Sequence, residues 1–493
     1  MSAQHDTDVL IAGAGPTGLV LACELARRGI AFRLVDKATE HFGGSRGDGI
    51  HPRTQEVFAD LGVLDDLHAA GAGGIPMRKY EAGRLVWEGH PGEPVPATPG
   101  VPHPNAWFVP QFRTEEVLRK ALAGYGGQVE LGVELRALRQ DDRQVTARLA
   151  DGTEIRARYL VGADGGRSTV RRALGIEFRG ETDETTKALI ADVRLSGLGR
   201  DRALAWSRDG ELASVQPLAG TDLFTVTASR DDVEPTPDGL REWLNRMSGL
   251  DLRVHEVHWN SVWRANARLA ERYRDGRVLL AGDAAHVCPP TGGQGMNTGV
   301  QDAHNLGWKL AAVLRGADEA LLDSYEAERY PVAEGVLRLS GRLLDLLRED
   351  DPEAHVRGPE LNQLGLHYRG GPLAEERRAE PAAVRAGDRA PDAPVLLDGA
   401  EVRLFELFAG PHWTLLDFGG TSAGLALPGL DAHAVLREPR PGAVHDVHGH
   451  AHDGYGVDRP ALLLVRPDGY LGWAGAPGDL ADLRAYLLPK LGS

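Results

Sequence analysis

The chain has 493 residues, 42% of them hydrophobic and 26% charged, and its 71 acidic and 55 basic side chains leave a formal net charge of −16. That length exceeds what one hydrophobic core fills, so two to four domains are expected. The acidic balance argues against nucleic acid or an anionic membrane as the main partner.

Two cysteines, Cys23 and Cys288, make no framework of pairs. This fits a reducing cytoplasm and excludes CxxC chemistry and a cysteine-based metal site. The strand Asp8–Ala12 comes first, then an apolar helix Pro16–Arg28 closed by Gly29, then a second strand Ala31–Asp36. The apolar run Val9–Ala26 has no cationic leader and is broken by Gly13, Gly15, Pro16 and Gly18, so export is not expected. No stretch reaches the roughly 18 uninterrupted apolar residues of a membrane-spanning helix.

Pro52–Leu61 reads as a helix opened by proline and ended before Gly62, and residues 71–110 as irregular structure or short strands. Thr114 is the expected N-cap of a helix Glu115–Ala123. A meander follows over 129–138, 144–149 and 153–161, turning at Asp151-Gly152. Residues 176–265 are strand-rich with one helix, Leu240–Met247, and read as a separate sheet domain. The strand Arg277–Leu280 enters a glycine-rich loop, and a helix is expected from about Met296, with long helical patterns over 298–315 and 319–349. Residues 350–389 read as a linker and 390–493 as an independent α/β domain.

Three loops carry chemistry. Gly13-Ala-Gly15-Pro16-Thr17-Gly18 follows a strand and opens a helix, the setting in which glycines allow a tight turn, backbone approach to a pyrophosphate and close helix–strand packing. The phosphates would sit on the unpaired N–H groups of the helix start. Asp36, with Lys37 beside it, ends the second strand, where a carboxylate accepts bonds from both ribose hydroxyls and repels a 2′-phosphate. Far downstream, Gly162-Ala-Asp164-Gly165 and Ala281-Gly282-Asp283 each follow a β-rich run. Together they point to a long ligand held at several places, FAD rather than NAD, and no second GxGxxG marks a separate Rossmann domain for a nicotinamide cofactor.

In this order GAGPTG, GADGGRSTVR and GRVLLAGDAAH with PPTGGQGMNTGVQDAHNLGWKL resemble the group A flavoprotein monooxygenases over about residues 6–345. Ala386–Pro391 and Arg466–Tyr470 are similar to the thioredoxin-like C-terminal domain of the aromatic polyketide and phenol hydroxylases, here without any cysteine. The resemblance implies an α/β fold: a Rossmann-type, glutathione-reductase-like FAD-binding domain (1–175 and 266–349), an inserted β-sheet substrate domain (176–265, with pocket walls from 71–110) and that C-terminal domain (390–493). It implies FAD reduced by NADPH or NADH, O2 as co-substrate, and hydroxylation of a bulky aromatic substrate through a flavin C4a-hydroperoxide, with a homo-oligomer through the extra domain as one arrangement.

Residue by residue, it places Gly13, Gly15, Gly18 and Asp36 on the ADP half, Arg46 near the phosphates and ribityl chain, and Gln111, with Arg113 weaker, against the flavin. Asp164 would serve FAD and NADPH, and Asp283 the ribityl hydroxyls. Gly293, Gly295, Met296 and Asn297 would offer a helix start to the pyrimidine, whose reduced form is anionic. Pro290 would flank the isoalloxazine. No protein nucleophile or metal is required.

Other residues stay open at this level. His286 is a proton relay or a structural residue of its loop, and Trp206, Phe224 and Trp263 line the substrate cavity or pack the core. His445, His448, His450 and His452, with Asp446 and Asp453, form a metal cluster or a solvated loop. Halogenation is disfavoured because no Trp-x-Trp occurs; the remaining alternatives are oxidation without oxygen insertion, inactivation of an aromatic antibiotic (rifamycin- or anthracycline-like) and a non-catalytic flavoprotein that sequesters a hydrophobic drug.

Overall fold

A computed structural model describes residues 5–349, 358–380, 383–422 and 425–492, except for the side chains of 184 and 185. The N-terminal βαβ unit forms where the apolar spacing demands it: β1 (Thr7–Ala12), α1 (Pro16–Ala26) and β2 (Phe32–Asp36). Leu10, Ile11, Leu19, Val20 and Leu34 of this unit are completely buried. β1 lies parallel between β2 and the strand Glu154–Gly162, which in turn pairs in parallel with Val278–Leu280.

The register is what builds the site. Ala12 pairs with Gly162, and Gly162 with Leu280, so three strands end side by side. The three loops that follow them, separated by more than a hundred residues in sequence, therefore emerge together at the carboxyl edge of the sheet, where open α/β sheets bind ligands. Val129–Leu131 joins this sheet through β2, so the antiparallel meander is confined to Leu135–Gln140, Val145–Leu149 and Glu154–Gly162.

Several expectations change in the connecting segments. The helix α2 (Pro52–Asp60) forms as read, but α3 runs Gln111–Gly124. Its N-cap is Pro110 with an extended ψ of 139°, and Thr114 is a wholly buried residue of the helix interior. Proline fixes φ and cannot continue an upstream hydrogen-bond ladder, so it sets the boundary before the threonine does. The flavin-loop helix α4 (Gln294–Leu314) starts two residues before Met296, because Gly292 and Gly293 both adopt positive φ and turn the chain into it. A 3-10 turn, Glu319–Leu322, precedes α5 (Asp323–Arg348).

A second, eight-stranded sheet is centred on the long antiparallel pair Phe178–Ser196 and Arg253–Ala270. Residues from 71–110 do enter it: Met77–Glu81 pairs with Ala203–Arg208, and Arg84–Gly89 forms the edge. The predicted helix there is Pro237–Ser248, capped by the Thr236 hydroxyl and stopped by Gly249 at φ 72°.

The C-terminal region carries a third eight-stranded sheet around Trp413–Asp417 and Leu462–Val465. The expected linker is not a free tether where it is described. Glu375–Glu376 adds an edge strand to Leu471–Gly475, and Leu361 and Gln363 are buried against the start of α4. Buried apolar and amide groups, not the Pro/Gly content, decide its conformation. No helix among the described residues is long and apolar enough to cross a membrane.

Candidate active site

The three loops border a single cleft of about 2370 Å3 that continues over the second sheet. Gly15, Pro16, Thr17, Arg46, Gln111, Asp283, Pro290, Gly293, Gly295 and Met296 line it.

The glycines divide by cause. A Cβ on Gly13 would overlap the Ala163 carbonyl, and one on Gly18 the Gly13 carbonyl, so these two are fixed by packing between loops. A Cβ on Gly15 would meet no protein atom within 4 Å, so the space over it is free for a ligand. Thr17 is wedged against Gly282 and Gly299, where added Cβ atoms would stand 2.5 Å from its hydroxyl.

Asp36 accepts 2.8 Å bonds from the Ala14 and Ala38 N–H groups, which orient its carboxylate at the end of β2; Lys37 is exposed beyond it. Asp164 accepts from the Thr169 and Val170 N–H groups through one oxygen, and its other oxygen is buried without a partner. An orphaned acceptor of that kind signals a missing donor. Asp283 opens into the cleft but sits deep within it, and desolvation raises its carboxyl above the ordinary range, opposed by His286 and Arg46.

At the other end of the cleft, the N–H groups of Gln294, Gly295 and Met296 lack intrahelical acceptors. Asn297 is the fourth residue of the helix, and its buried side chain is turned away: Oδ1 accepts from the His51 N–H, and Nδ2 donates to the Gly49 and Gly293 carbonyls. Its side chain anchors the loop and does not face the cleft. Gln111 donates to Glu115 at 2.8 Å, which leaves its carbonyl free; burial pushes the Glu115 carboxyl up to about 7. The loop carrying Arg46 is docked on the second sheet, with Ser45 N–H on Asp192 at 2.7 Å and Gly44 flat against the Trp259 ring.

His286 does not reach the cleft. Its Nε2 lies 2.6 Å from Asp302 Oδ2, both side chains wholly buried, and Arg329 Nε donates to the other Asp302 oxygen at 2.7 Å. Burial would raise the Asp302 carboxyl, but Arg329 and His286 outweigh it and hold it at about 2. His286 is thus part of the scaffold under the loop, and as a catalytic candidate it is corrected. Trp206 and Phe224 are core residues, 3% exposed, and Trp263 is also away from the cleft. The aromatic walls are Trp87, Trp107 and Phe108. Cys288 borders the cleft with its thiol pushed up to about 12 by burial, which leaves it protonated and unreactive.

In the C-terminal loop Asp446 caps a short helix, accepting from the Ala451 and His452 N–H groups and from the His452 ring at 2.7 Å; His445 turns to the Arg437 carbonyl. These residues do not bring three ligand atoms together among the described residues. Glu24, Asp60 and His304 do converge, but Arg27 and Arg28 occupy the carboxylates.

Some site residues are invisible to motif reading. Asp48 faces the cleft, accepts from Gln216 at 2.9 Å, and is raised by burial to about 6. Arg171 ties two cofactor loops by donating to the Ala284 and Gly166 carbonyls, each at 2.8 Å, beneath the Phe178 ring. His51 Nε2 bonds the Gly292 and Gly293 carbonyls at 3.0 and 3.1 Å, holding the helix start.

The cleft offers anion-receptive backbone and ample volume, and the loops behind it add two carboxylates that do not themselves line it, Asp36 oriented at the end of β2 and Asp164 with one unpartnered oxygen; this set fits FAD. Residues 6–340 match the FAD binding domain family, and residues 383–493 the aromatic-ring hydroxylase C-terminal family. The chain belongs to this family of FAD-dependent monooxygenases.

Among its relatives is a flavin-dependent monooxygenase of Mycobacteroides abscessus, 45% identical over 94% of this chain and 96% of that one. Another is the 12-dehydrotetracycline 5-monooxygenase/anhydrotetracycline 6-monooxygenase of Streptomyces rimosus, 37% identical over 96% of each chain. The crystal structure of aklavinone-11 hydroxylase with FAD and aklavinone superposes with a TM-score of 0.82 at 31% identity, covering 99% of both chains.

Proposed function

We propose that this chain hydroxylates a bulky, flat aromatic substrate of polyketide type, consuming NAD(P)H and O2 in the cytoplasm. The observation that carries the reading is the continuity of the cofactor cleft with a floor on the second sheet that is built mainly of small residues. Lys79, Ala205, Ser214 and Thr227 stand in register across four neighbouring strands and all face the cleft. At roughly 4.8 Å per strand the row spans about 14 Å, the length of several fused rings. Trp87, Trp107 and Phe108 supply faces for stacking.

When bound, FAD relays two electrons from NAD(P)H to O2, so that ArH, O2, NAD(P)H and a proton become ArOH, water and NAD(P)+. The protein's part is to bind and orient. Gly13 and Gly18 hold the turn, Gly15, Pro16 and Thr17 receive the pyrophosphate, and Asp36 takes the ribose. Arg46, Asp164 and Asp283 address the phosphate and ribityl regions, and Gln111 the ring. The free N–H groups of residues 294–296 stabilise negative charge on the pyrimidine edge, with Pro290 beside the ring. Asp48, paired with Gln216, accepts a hydrogen bond from a substrate hydroxyl. The domain division is read the same way: 1–175 with 266–349 for the cofactor, 176–265 for substrate.

The test is NADPH consumption by the purified, FAD-loaded protein with anhydrotetracycline, aklavinone and rifampicin, followed by mass analysis. Substrate-stimulated consumption with a product heavier by one oxygen atom is expected. Tight binding of all three without consumption would instead establish a drug-sequestering flavoprotein and end the monooxygenase reading.

A further inference from the structure

The cleft has a wall that no cofactor motif supplies. After α5 the chain returns through the short 3-10 turn Pro359–Asn362, and Pro359, Leu361 and Asn362 line the cleft beside the loop Pro290–Gln294. Leu361, 2% exposed, packs so closely on Gly292 that a Cβ there would stand 2.9 Å from its side chain, and its carbonyl accepts from Gln294 Nε2.

The next residue is in an uncommon state. Gln363 adopts φ +58°, the left-handed region that a residue with a Cβ rarely occupies. Its buried amide is gripped on both sides: Nε2 donates to Gln294 Oε1 at 2.6 Å and to Thr298 Oγ1 at 3.3 Å, and Oε1 accepts from Gln301. A left-handed residue locked into the first turns of α4 fixes the direction in which its neighbour points. That neighbour, Asn362, is half-buried at the cleft, and its amide has no hydrogen-bond partner among the described residues. A primary amide offers two donors and an acceptor, and this one is positioned by strain rather than by a bond of its own.

We propose that Asn362 is a specificity-determining residue, hydrogen-bonding a carbonyl or hydroxyl oxygen of the substrate beside the carbon that is oxygenated. The proposal rests on the monooxygenase reading above. A primary amide can donate to a ring carbonyl or accept from a ring hydroxyl, and unlike a cationic side chain it supplies no counter-charge for a carboxylate. Contact this close to the reacting carbon fixes ring register as well as affinity.

The experiment titrates FAD-loaded wild type, Asn362→Leu and Asn362→Asp with anhydrotetracycline, aklavinone and rifampicin, following the flavin absorbance. NADPH consumption, peroxide and hydroxylated product are measured in parallel. With the wild type turning over one probe, Asn362→Leu is expected to weaken its binding about three- to tenfold, the loss of one hydrogen bond. It should also divert a larger share of NADPH to peroxide while retaining wild-type flavin content. Asn362→Asp, isosteric but lacking the amide donors, should show the same diversion for a carbonyl acceptor and less for a hydroxyl. Unchanged affinity and coupling in both variants, with the wild type active, would overturn the proposal and leave the monooxygenase reading standing. A wild type that neither binds nor oxidises with any probe would overturn both.

Discussion

The cofactor edge and the seam with the C-terminal region are built on opposite rules. At the seam, buried charges are paired, although Arg53 Nε and the Tyr470 hydroxyl have no hydrogen-bond partner among the described residues. Arg466 bridges Glu328 at 2.6 Å and Asp468 at 2.5 Å, Lys309 reaches Glu328 at 2.7 Å, and Asn305 and Trp308 donate to Asp468, with Arg466, Glu328, Asp468 and Lys309 all essentially unexposed. Arg53 donates to the Asp468 carbonyl and lies over Tyr470, and Arg389 clasps Glu56. At the cofactor edge the reverse holds: Gly15 faces open space, an Asp164 oxygen is orphaned, and three N–H groups at the start of α4 have no intrahelical acceptor. The open groups beside the cleft leave room for a ligand, whereas the ion pairs of the seam close on one another.

The contrast breaks most visibly at Arg466. Arg466→Met leaves Glu328 and Asp468 buried without their main counter-charge and should cost roughly 3–5 kcal/mol, read as a lower denaturant midpoint with or without FAD. Next, Gly18→Ala forces overlap with the Gly13 carbonyl and should destabilise the apoprotein by about 1–3 kcal/mol. The same substitution at Gly15, whose φ of −72° suits alanine, should leave the apoprotein midpoint unchanged and instead weaken FAD binding about tenfold or more by equilibrium dialysis. If Gly15→Ala destabilised the apoprotein as Gly18→Ala does, the distinction between packing and ligand glycines would collapse.

The smallest effect concerns pH. The Asp48 carboxyl, raised by burial to about 6, is protonated below that pH and an acceptor above it. Affinity for a hydroxyl-bearing ligand should therefore rise through pH 6 in the wild type and lose that inflection in Asp48→Asn, by the same absorbance titration.

The motifs that rest on backbone lead to one cleft. GAGPTG, the two glycine-aspartate loops and the GGQGM turn all reach the cleft, because strand order and glycine placement are local properties with a period. They say nothing of a side chain that meets a distant partner. His51 touches a loop 241 residues later, Asp48 a strand 168 residues later, and Gln363 a helix start 69 residues earlier. Nothing in their neighbourhoods announces those meetings. Thr114 misled because capping chemistry recurs inside helices, and Pro110 held the stronger claim on the boundary. Of the two roles left open for His286, its burial against Asp302 favours the structural one.

Helix α4 has one end in each regime: Gln294 opens on the cleft, while Asn305 and Trp308 are pinned by Asp468 of the C-terminal region and Lys309 by Glu328 of α5. Over 21 residues, about 31 Å, it is a single stiff rod. A chimera that exchanges only residues 383–493 with a relative would therefore be a graft onto foreign fittings. The portable unit is the sheet together with its sockets, Arg53, Glu56, Asn305, Trp308, Lys309 and Glu328, and a breeding programme for new hydroxylases would have to inherit them as one haplotype.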